Sequence, residues 1–220
     1  MVLDSMRSQV DFTISPVAKL FKNVSPNVIS WIGLIIALIS GIFLALSFDH
    51  HIFLIIGAIL VIVSGYFDAL DGKVAKLFNK CTKKGDYLDH VFDRYADVFM
   101  IGGIAVSGWC DPILGLVAIV GTLLTSYMGT QAQAVGAPRL YAGLLGRADR
   151  VVLSTLFPII QYIFLFVANG DFAYFTIIIG DWTHNLYWLE IMMLWFAVVG
   201  NITAIQRAIV TWKNMSKMDE

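Results

Sequence analysis

Charge is scarce in this chain. Only 14% of its 220 residues are Asp, Glu, Lys or Arg, against 58% hydrophobic, and the mean hydropathy is +0.76. An ordinary soluble domain carries nearer a quarter charged residues, so that class is excluded. Cysteine is almost absent as well. Cys81 and Cys110 are the two, and they fall near opposite ends of the predicted helices, which argues against a disulfide. The net charge of −1 gives no electrostatic ground for a nucleic-acid partner. Internal repeats and low-complexity runs are missing too. Residues 1–24 mix Asp4, Arg7, Asp11, Lys19 and Lys22 with apolar positions, a pattern that predicts no cleavable signal peptide.

Long apolar runs are what the chain has instead. A helix crossing ~30 Å of hydrocarbon needs ~20 apolar residues. Six runs qualify: 28–47, 52–77, 87–108, 112–135, 149–169 and 186–210. The expected fold is an all-α integral membrane protein. Six transmembrane helices make one domain over 1–220, a bundle over 25–213 preceded by an interfacial amphipathic helix within 1–24. In that lead-in, Val10, Ile14, Val17, Ala18 and Phe21 recur at three- and four-residue steps, which suits a helix lying in the interface. Ser25 is placed to cap the first span and Pro26 suits its first turn. Asn27 is polar where the chain enters the membrane. Segment 170–185 reads as a loop with a short apolar stretch.

Orientation follows from the cations. Lys and Arg gather before the first span, between spans two and three, between four and five, and at the end. The opposite loops, 48–51, 109–111 and 170–185, contain neither. The positive-inside rule then places both termini on the cytoplasmic side of the cell membrane.

Against this apolar background five aspartates stand out: Asp68, Asp71, Asp86, Asp89 and Asp93. A carboxylate at membrane depth costs at least ~2.5–3.5 kcal/mol on insertion scales, so several together demand a cation. Asp68, Asp71 and Ala75 are spaced three and four apart and share one helix face; Asp89 and Asp93 share a face of the next. The short, lysine-rich connection 77–84 predicts that these helices are antiparallel neighbours. Oxygen donors without Cys or His favour Mg²⁺, Mn²⁺ or Ca²⁺ over zinc. Four carboxylates suffice for two ions, an arrangement that clamps phosphate oxygens. Gly65, Gly72 and Ala75 leave room on the same face. Interhelical Asp–Lys pairs are the plainer alternative. A divalent-cation transporter is another, although such sites favour the midplane of broken or repeated helices.

A second cluster is basic. Arg139, Arg147 and Arg150 precede the fifth span, and Arg207 lies near the inner end of the sixth. Positive-inside bias accounts for the first three equally well. Together the four could bind a second phosphate, carried by an acceptor.

The string Asp68-x2-Asp71-Gly72-x2-Ala75-Lys76-x8-Gly85-x3-Asp89-x3-Asp93 resembles the signature of the CDP-alcohol phosphotransferase family, with Lys76 where that signature has Arg. The change keeps the charge and loses the planar fork. The resemblance, with the Pro-Asn pair before the first span, covers nearly the whole chain. It implies transfer of a substituted phosphate from a CDP-linked lipid, CDP-diacylglycerol or CDP-archaeol, to an alcohol with release of CMP. It implies Asp68, Asp71, Asp89 and Asp93 as ligands of Mg²⁺ or Mn²⁺, and Asp93 also as the general base. It assigns Asn27, Asp71, Gly72, Ala75, Lys76 and Gly85 to the nucleotide, and it implies a homodimer in the lipid membrane. Asp86 is read as a helix N-terminal charge or a nucleotide contact, and Asp97 as a partner of Arg94.

Residues 126–134 and 146–150 are similar to the inositol-phosphate branch of that family, which implies myo-inositol phosphate as the acceptor, with glycerol phosphate as the runner-up. Bacterial members carry a basic residue in the Ser126-Tyr127 segment, and this chain does not. Gln131 and Gln133 are placed to hydrogen-bond the acceptor hydroxyls, or equally to pack within the bundle.

Overall fold

A computed structural model describes residues 7–138, 140 and 143–216, without the side chains of 7–12 and Trp182. Among the described residues seven helices occur, in the order α1 (Arg7–Leu20), α2 (Pro26–Ala45), α3 (Ile52–Leu77), α4 (Lys83–Ala105), α5 (Pro112–Ala134), α6 (Arg147–Phe166) and α7 (Trp188–Ser216). Five of them, α2, α3, α5, α6 and α7, are long and apolar enough to cross a membrane. Helix α4 has the length, but it carries Asp86, Asp89, Asp93, Arg94 and Asp97.

The chain is not purely helical. Between α6 and α7 lies an antiparallel hairpin of β1 (Tyr174–Ile179) and β2 (Trp182–Tyr187), in register from Tyr174 opposite Tyr187 to Ile179 opposite Trp182. This corrects the reading of 170–185 as a loop, while the rest of the described chain keeps the mostly helical architecture expected of it. Gly180, with φ +61°, turns the chain between the strands, in the left-handed region open to glycine.

Helices α2 to α7 close into a ring. Helix α2 packs on α3 and α4, α3 on α6, α6 on α7, α7 on α5, and α5 on α4. The helices bearing the aspartates are therefore not close neighbours, as the short connection had suggested. Helix α2 sits against both. The reason is its small-residue face. A Cβ on Gly41 would overlap the backbone of Phe99 on α4, and on the α3 side Ser64 donates to the Gly33 carbonyl at 2.9 Å. Small residues let backbones approach where lipid supplies no hydrophobic drive between helices. Across the ring, Thr125 of α5 donates to the Gly200 carbonyl of α7 at 2.8 Å.

Helix α1 lays Ile14 and Ala18 on Ile29, Leu70 and Val74 of α2 and α3. Lys80, after α3, donates to the carbonyls of Lys22 and Val24 at 2.6 and 3.1 Å. Ser25 occupies the N-cap of α2 with extended backbone, but its side chain makes no capping bond. Pro26 follows in the first turn, where its missing N–H costs nothing. Thr82 does cap α4, accepting from Gly85 N at 3.0 Å. Both cysteines are free, Cys81 exposed and Cys110 buried.

Candidate metal centre and active site

Helix periodicity brings Asp68 and Asp71 to one face of α3, and Asp89 and Asp93 to one face of α4. Asp68, Asp71 and Asp89 each offer a carboxylate oxygen, and these oxygens lie within 4.8 Å of one another. Asp89 and Asp93 form a second such group with His90. Asp71 and Asp93 are buried. The Ser30 hydroxyl on α2 makes a short hydrogen bond to Asp71, which holds that carboxylate between α2 and the cluster. Ser30 was not anticipated. Its only signal in the sequence is a place one helical turn past Pro26, on the helix that Asn27 begins.

Helix α6 delivers the counter-charge. Asp149 accepts from Gly146 N at 2.8 Å and fixes the first turn of α6. Arg147, the first residue of that helix, reaches Asp68 with both terminal nitrogens at 2.8 and 3.0 Å. One of these nitrogens also lies 2.6 Å from Asp93. The guanidinium thus joins α3, α4 and α6 through two carboxylates. Such forked pairing is geometrically specific. Arg94 lies 3.3 Å from Asp93.

One turn deeper, Arg150 pairs with Asp97 at 2.5 Å and donates to Ser126 at 3.2 Å. This corrects the expected Asp97–Arg94 pair. Asp97 points into the bundle and is buried, as is Arg150, so each finds its partner across the ring. Arg207, also buried, donates to the Thr125 carbonyl of α5 at 2.6 Å. Of the four arginines grouped by sequence, Arg147 therefore joins the carboxylate cluster, Arg150 lies beneath it, and Arg207 is tied to α5. Arg139 lies outside the described residues. Gln131 and Gln133 are exposed at the C-terminal end of α5.

The small residues of the motif do leave space. A Cβ built on Gly72 would meet nothing within 4 Å, while one on Gly85 would stand 3.4 Å from Asn27 Oδ1. The start of α2 and the first turn of α4 are thus adjacent. Ala75 is half-buried, Lys76 is exposed, and Asp86 is an exposed charge in the first turn of α4. A small cavity lined by Ser30, Gly33, Asp68, Asp71, Asp89 and Arg147 opens on the cluster. Several hard oxygen donors converging on one point suit a magnesium- or manganese-like ion. The donor set present here therefore fits a divalent metal.

Known proteins share this arrangement of chain. The archaetidylinositol phosphate synthase of Methanothermobacter thermautotrophicus is 30% identical over 162 residues, 74% of this chain and 72% of its own. The phosphatidylinositol phosphate synthase of Cutibacterium acnes is 26% identical over 216 residues, 94% of this chain and 96% of its own. The fold matches crystal structures of Mycobacterium tuberculosis phosphatidylinositol phosphate synthase at 24% identity, over 90% of this chain. One, with CDP-DAG bound, has a TM-score of 0.70 and 93% of its chain covered. Another, in complex with manganese and citrate, has a TM-score of 0.71 and 88% covered. The family model for CDP-alcohol phosphatidyltransferase matches residues 23–203, and with the carboxylate motif inside that match the chain belongs to this family.

Proposed function

We propose that this protein transfers a phosphatidyl or archaetidyl group from a CDP-linked lipid to myo-inositol phosphate and releases CMP. One observation carries the reading: the convergence of Asp68, Asp71 and Asp89 to within 4.8 Å, at the end of the bundle where Arg147 meets Asp68 and Asp93. The curated relatives that act in inositol-lipid synthesis support the acceptor, and the CDP-DAG in the M. tuberculosis structure supports the donor class.

In this reading Asp68, Asp71, Asp89 and Asp93 hold two divalent ions, Mg²⁺ or Mn²⁺; the manganese in a related structure supports the choice of metal. Such ions, when bound, screen a diphosphate and stabilise departing CMP. The protein's own groups do the rest. Asn27, Asp71, Gly72, Ala75, Lys76 and Gly85 receive the nucleotide, where the open space beside Gly72 lets it reach the backbone. Asp93 takes the proton of the acceptor hydroxyl. The hydroxyl oxygen then bonds to the lipid-side phosphorus, and the bond from that phosphorus to the CMP oxygen breaks. Arg147, with Arg139, Arg150 and Arg207, supplies positive charge toward the acceptor phosphate, and Gln131 and Gln133 meet its hydroxyls.

Helix α4 is the sixth span, its carboxylates stabilised by metal and by arginine rather than by lipid. The interfacial α1 and the six spans form one domain, working as a homodimer. Both termini and the site face the cytoplasm, an orientation supported by the confinement of Lys and Arg to one side. A transporter is disfavoured because the carboxylates gather at one end of the bundle, away from its midplane.

The test is CMP release by purified protein from CDP-archaeol or CDP-diacylglycerol with Mg²⁺ or Mn²⁺, offered inositol phosphate, glycerol phosphate or serine in turn. CMP formed with inositol phosphate alone is the expected result. Release with glycerol phosphate alone reassigns the acceptor, and no release with any alcohol removes the enzyme reading.

A further inference from the structure

The hairpin β1–β2 stands at the end of the bundle opposite the carboxylates, since Arg147 at the start of α6 meets Asp68 and the hairpin follows the other end of α6. We infer that this hairpin is a membrane-interface element, with its strand β1 seated in the lipid headgroup and upper acyl region.

Three observations carry this. First, β1 reads Tyr-Phe-Thr-Ile-Ile-Ile and every residue of it is exposed, Ile178 at 69% and Ile179 at 68%. Neither strand contains Asp, Glu, Lys or Arg. A two-stranded hairpin is marginal in water at best, and one with uncharged, exposed isoleucines on it needs an apolar surround.

Second, the base of the hairpin is fixed. Gln161 of α6 donates to the Ala173 carbonyl at 2.8 Å and accepts from Trp188 N at 2.9 Å. Trp188 Nε1 donates to the Phe172 carbonyl at 2.8 Å. Tyr187 packs on Trp109, ring centroids 5.1 Å apart, and His184 meets Glu190 at 2.9 Å. The strands are thus a held part of the bundle end, and the far half of β1, Ile178 and Ile179, is its most exposed part.

Third, the exposed surface is continuous with that of the spans. Phe164 on α6 stacks on Trp188 at 5.4 Å, and Phe175 of β1 packs edge-on against the same Trp188 at 5.2 Å. Tyr and Trp concentrate at membrane–water boundaries, where an apolar ring and a polar tip are both satisfied. The open edges of a two-stranded sheet still need hydrogen-bonding partners, which hydrocarbon lacks and the headgroup region supplies. That sets the depth of the hairpin at the boundary and not in the core.

The test is spin labelling of Ile178→Cys and, separately, Ile179→Cys in a Cys81→Ser, Cys110→Ser chain reconstituted into phosphatidylcholine–phosphatidylglycerol vesicles. Two positions are used so that one poorly folding variant does not void the result. Collision of each label with oxygen, which partitions into lipid, is compared with collision with a water-soluble nickel chelate. Lys84→Cys, at the other end of the bundle, serves as the aqueous reference. Oxygen collisions exceeding nickel collisions several-fold at 178 and 179, with the reverse at 84, is the expected outcome. Nickel dominance at both hairpin positions overturns the inference. Dipolar broadening between labels on two copies also overturns it, in favour of strand pairing between chains.

Discussion

Arg150 of α6 and Asp97 of α4 form a buried ion pair at 2.5 Å, one helical turn below the contact of Arg147 with Asp93. Two charges taken out of water this way are costly singly and tolerable together. The pair lies where α6 must be registered against α4, so that Arg147 reaches Asp68 and Asp93. Removing one partner leaves the other charge buried. Arg150→Ala and Asp97→Ala are each expected to destabilise the fold by about 3–5 kcal/mol. The exchange Asp97→Arg with Arg150→Asp should recover part of that loss. Thermal unfolding in detergent checks it; equal loss in the single and exchanged variants would remove the pair as a registering contact.

Asp93 is the carboxylate at which proton removal from the acceptor is proposed. A positioned base contributes about 10²–10⁴-fold to rate, so Asp93→Asn should lose CMP release by about that factor. Binding of CDP-lipid should persist, since the proposed nucleotide pocket lies toward Gly72 and Gly85. Turnover and equilibrium binding of a CDP-lipid, measured on the same preparation, separate the two. Normal turnover in this variant would return the base to another group.

How far the sequence foretold this arrangement depends on what each signal measures. The run 52–77 matches the bounds of α3, because an apolar run of that length has one economical use in a membrane. The motif aspartates converge because three- and four-residue steps return to one helix face. Adjacency of α3 and α4 was misjudged: a short connection limits the distance between two ends, while the axes follow whichever surface packs, here the small residues of α2. The hairpin was missed because Phe175-Thr176-Ile177-Ile178-Ile179 shows no alternation, and in a chain this apolar nothing sets such a stretch apart. The Gly180-Asp181 turn was its one visible mark. The Arg150–Asp97 pair spans 53 residues of sequence, a separation at which spacing carries no information.

Ser30 acts on the proposed metal centre through Asp71. Its hydroxyl bonds the carboxylate, orienting a proposed ligand from outside the coordination sphere. Loss of such a partner costs about 10–100-fold in metal affinity or activity. Ser30→Ala should raise the Mn²⁺ concentration for half-maximal CMP release by that factor, while Ser30→Thr should keep it near the wild-type value. Manganese titration followed by electron paramagnetic resonance reads the same quantity without turnover.

The two cysteines should differ sharply toward alkylating reagents. Cys110, on the connection between α4 and α5, is buried, and burial, reinforced by the nearby Glu190 and Asp111 carboxylates, pushes its thiol up to about 12. The thiolate is the reactive form. At pH 8 a group of that pKa is ionised to only about one part in 10⁴. Cys81 is exposed. A maleimide added to the folded protein at pH 8 should therefore label Cys81 alone, with Cys110 reacting after denaturation. Mass spectrometry of tryptic peptides checks it, and equal labelling in the native state would contradict the buried position of Cys110.

Gly72 separates the demands of the fold from those of the substrate. A side chain there would meet no protein atom within 4 Å of its Cβ, and replacing a helical glycine removes a penalty of about 0.8–1.0 kcal/mol relative to alanine. Gly72→Leu should thus leave the melting temperature unchanged or higher. If the nucleotide of a CDP-linked donor approaches the backbone of α3 at this point, the same leucine fills its place. KM for the CDP-lipid should then rise at least about tenfold, which corresponds to roughly 1.4 kcal/mol of lost binding, and KM for the acceptor should hold steady. A variant with wild-type KM for both substrates would move the nucleotide away from Gly72. Loss of the melting transition would instead show that the open space beside this residue is needed by the protein itself.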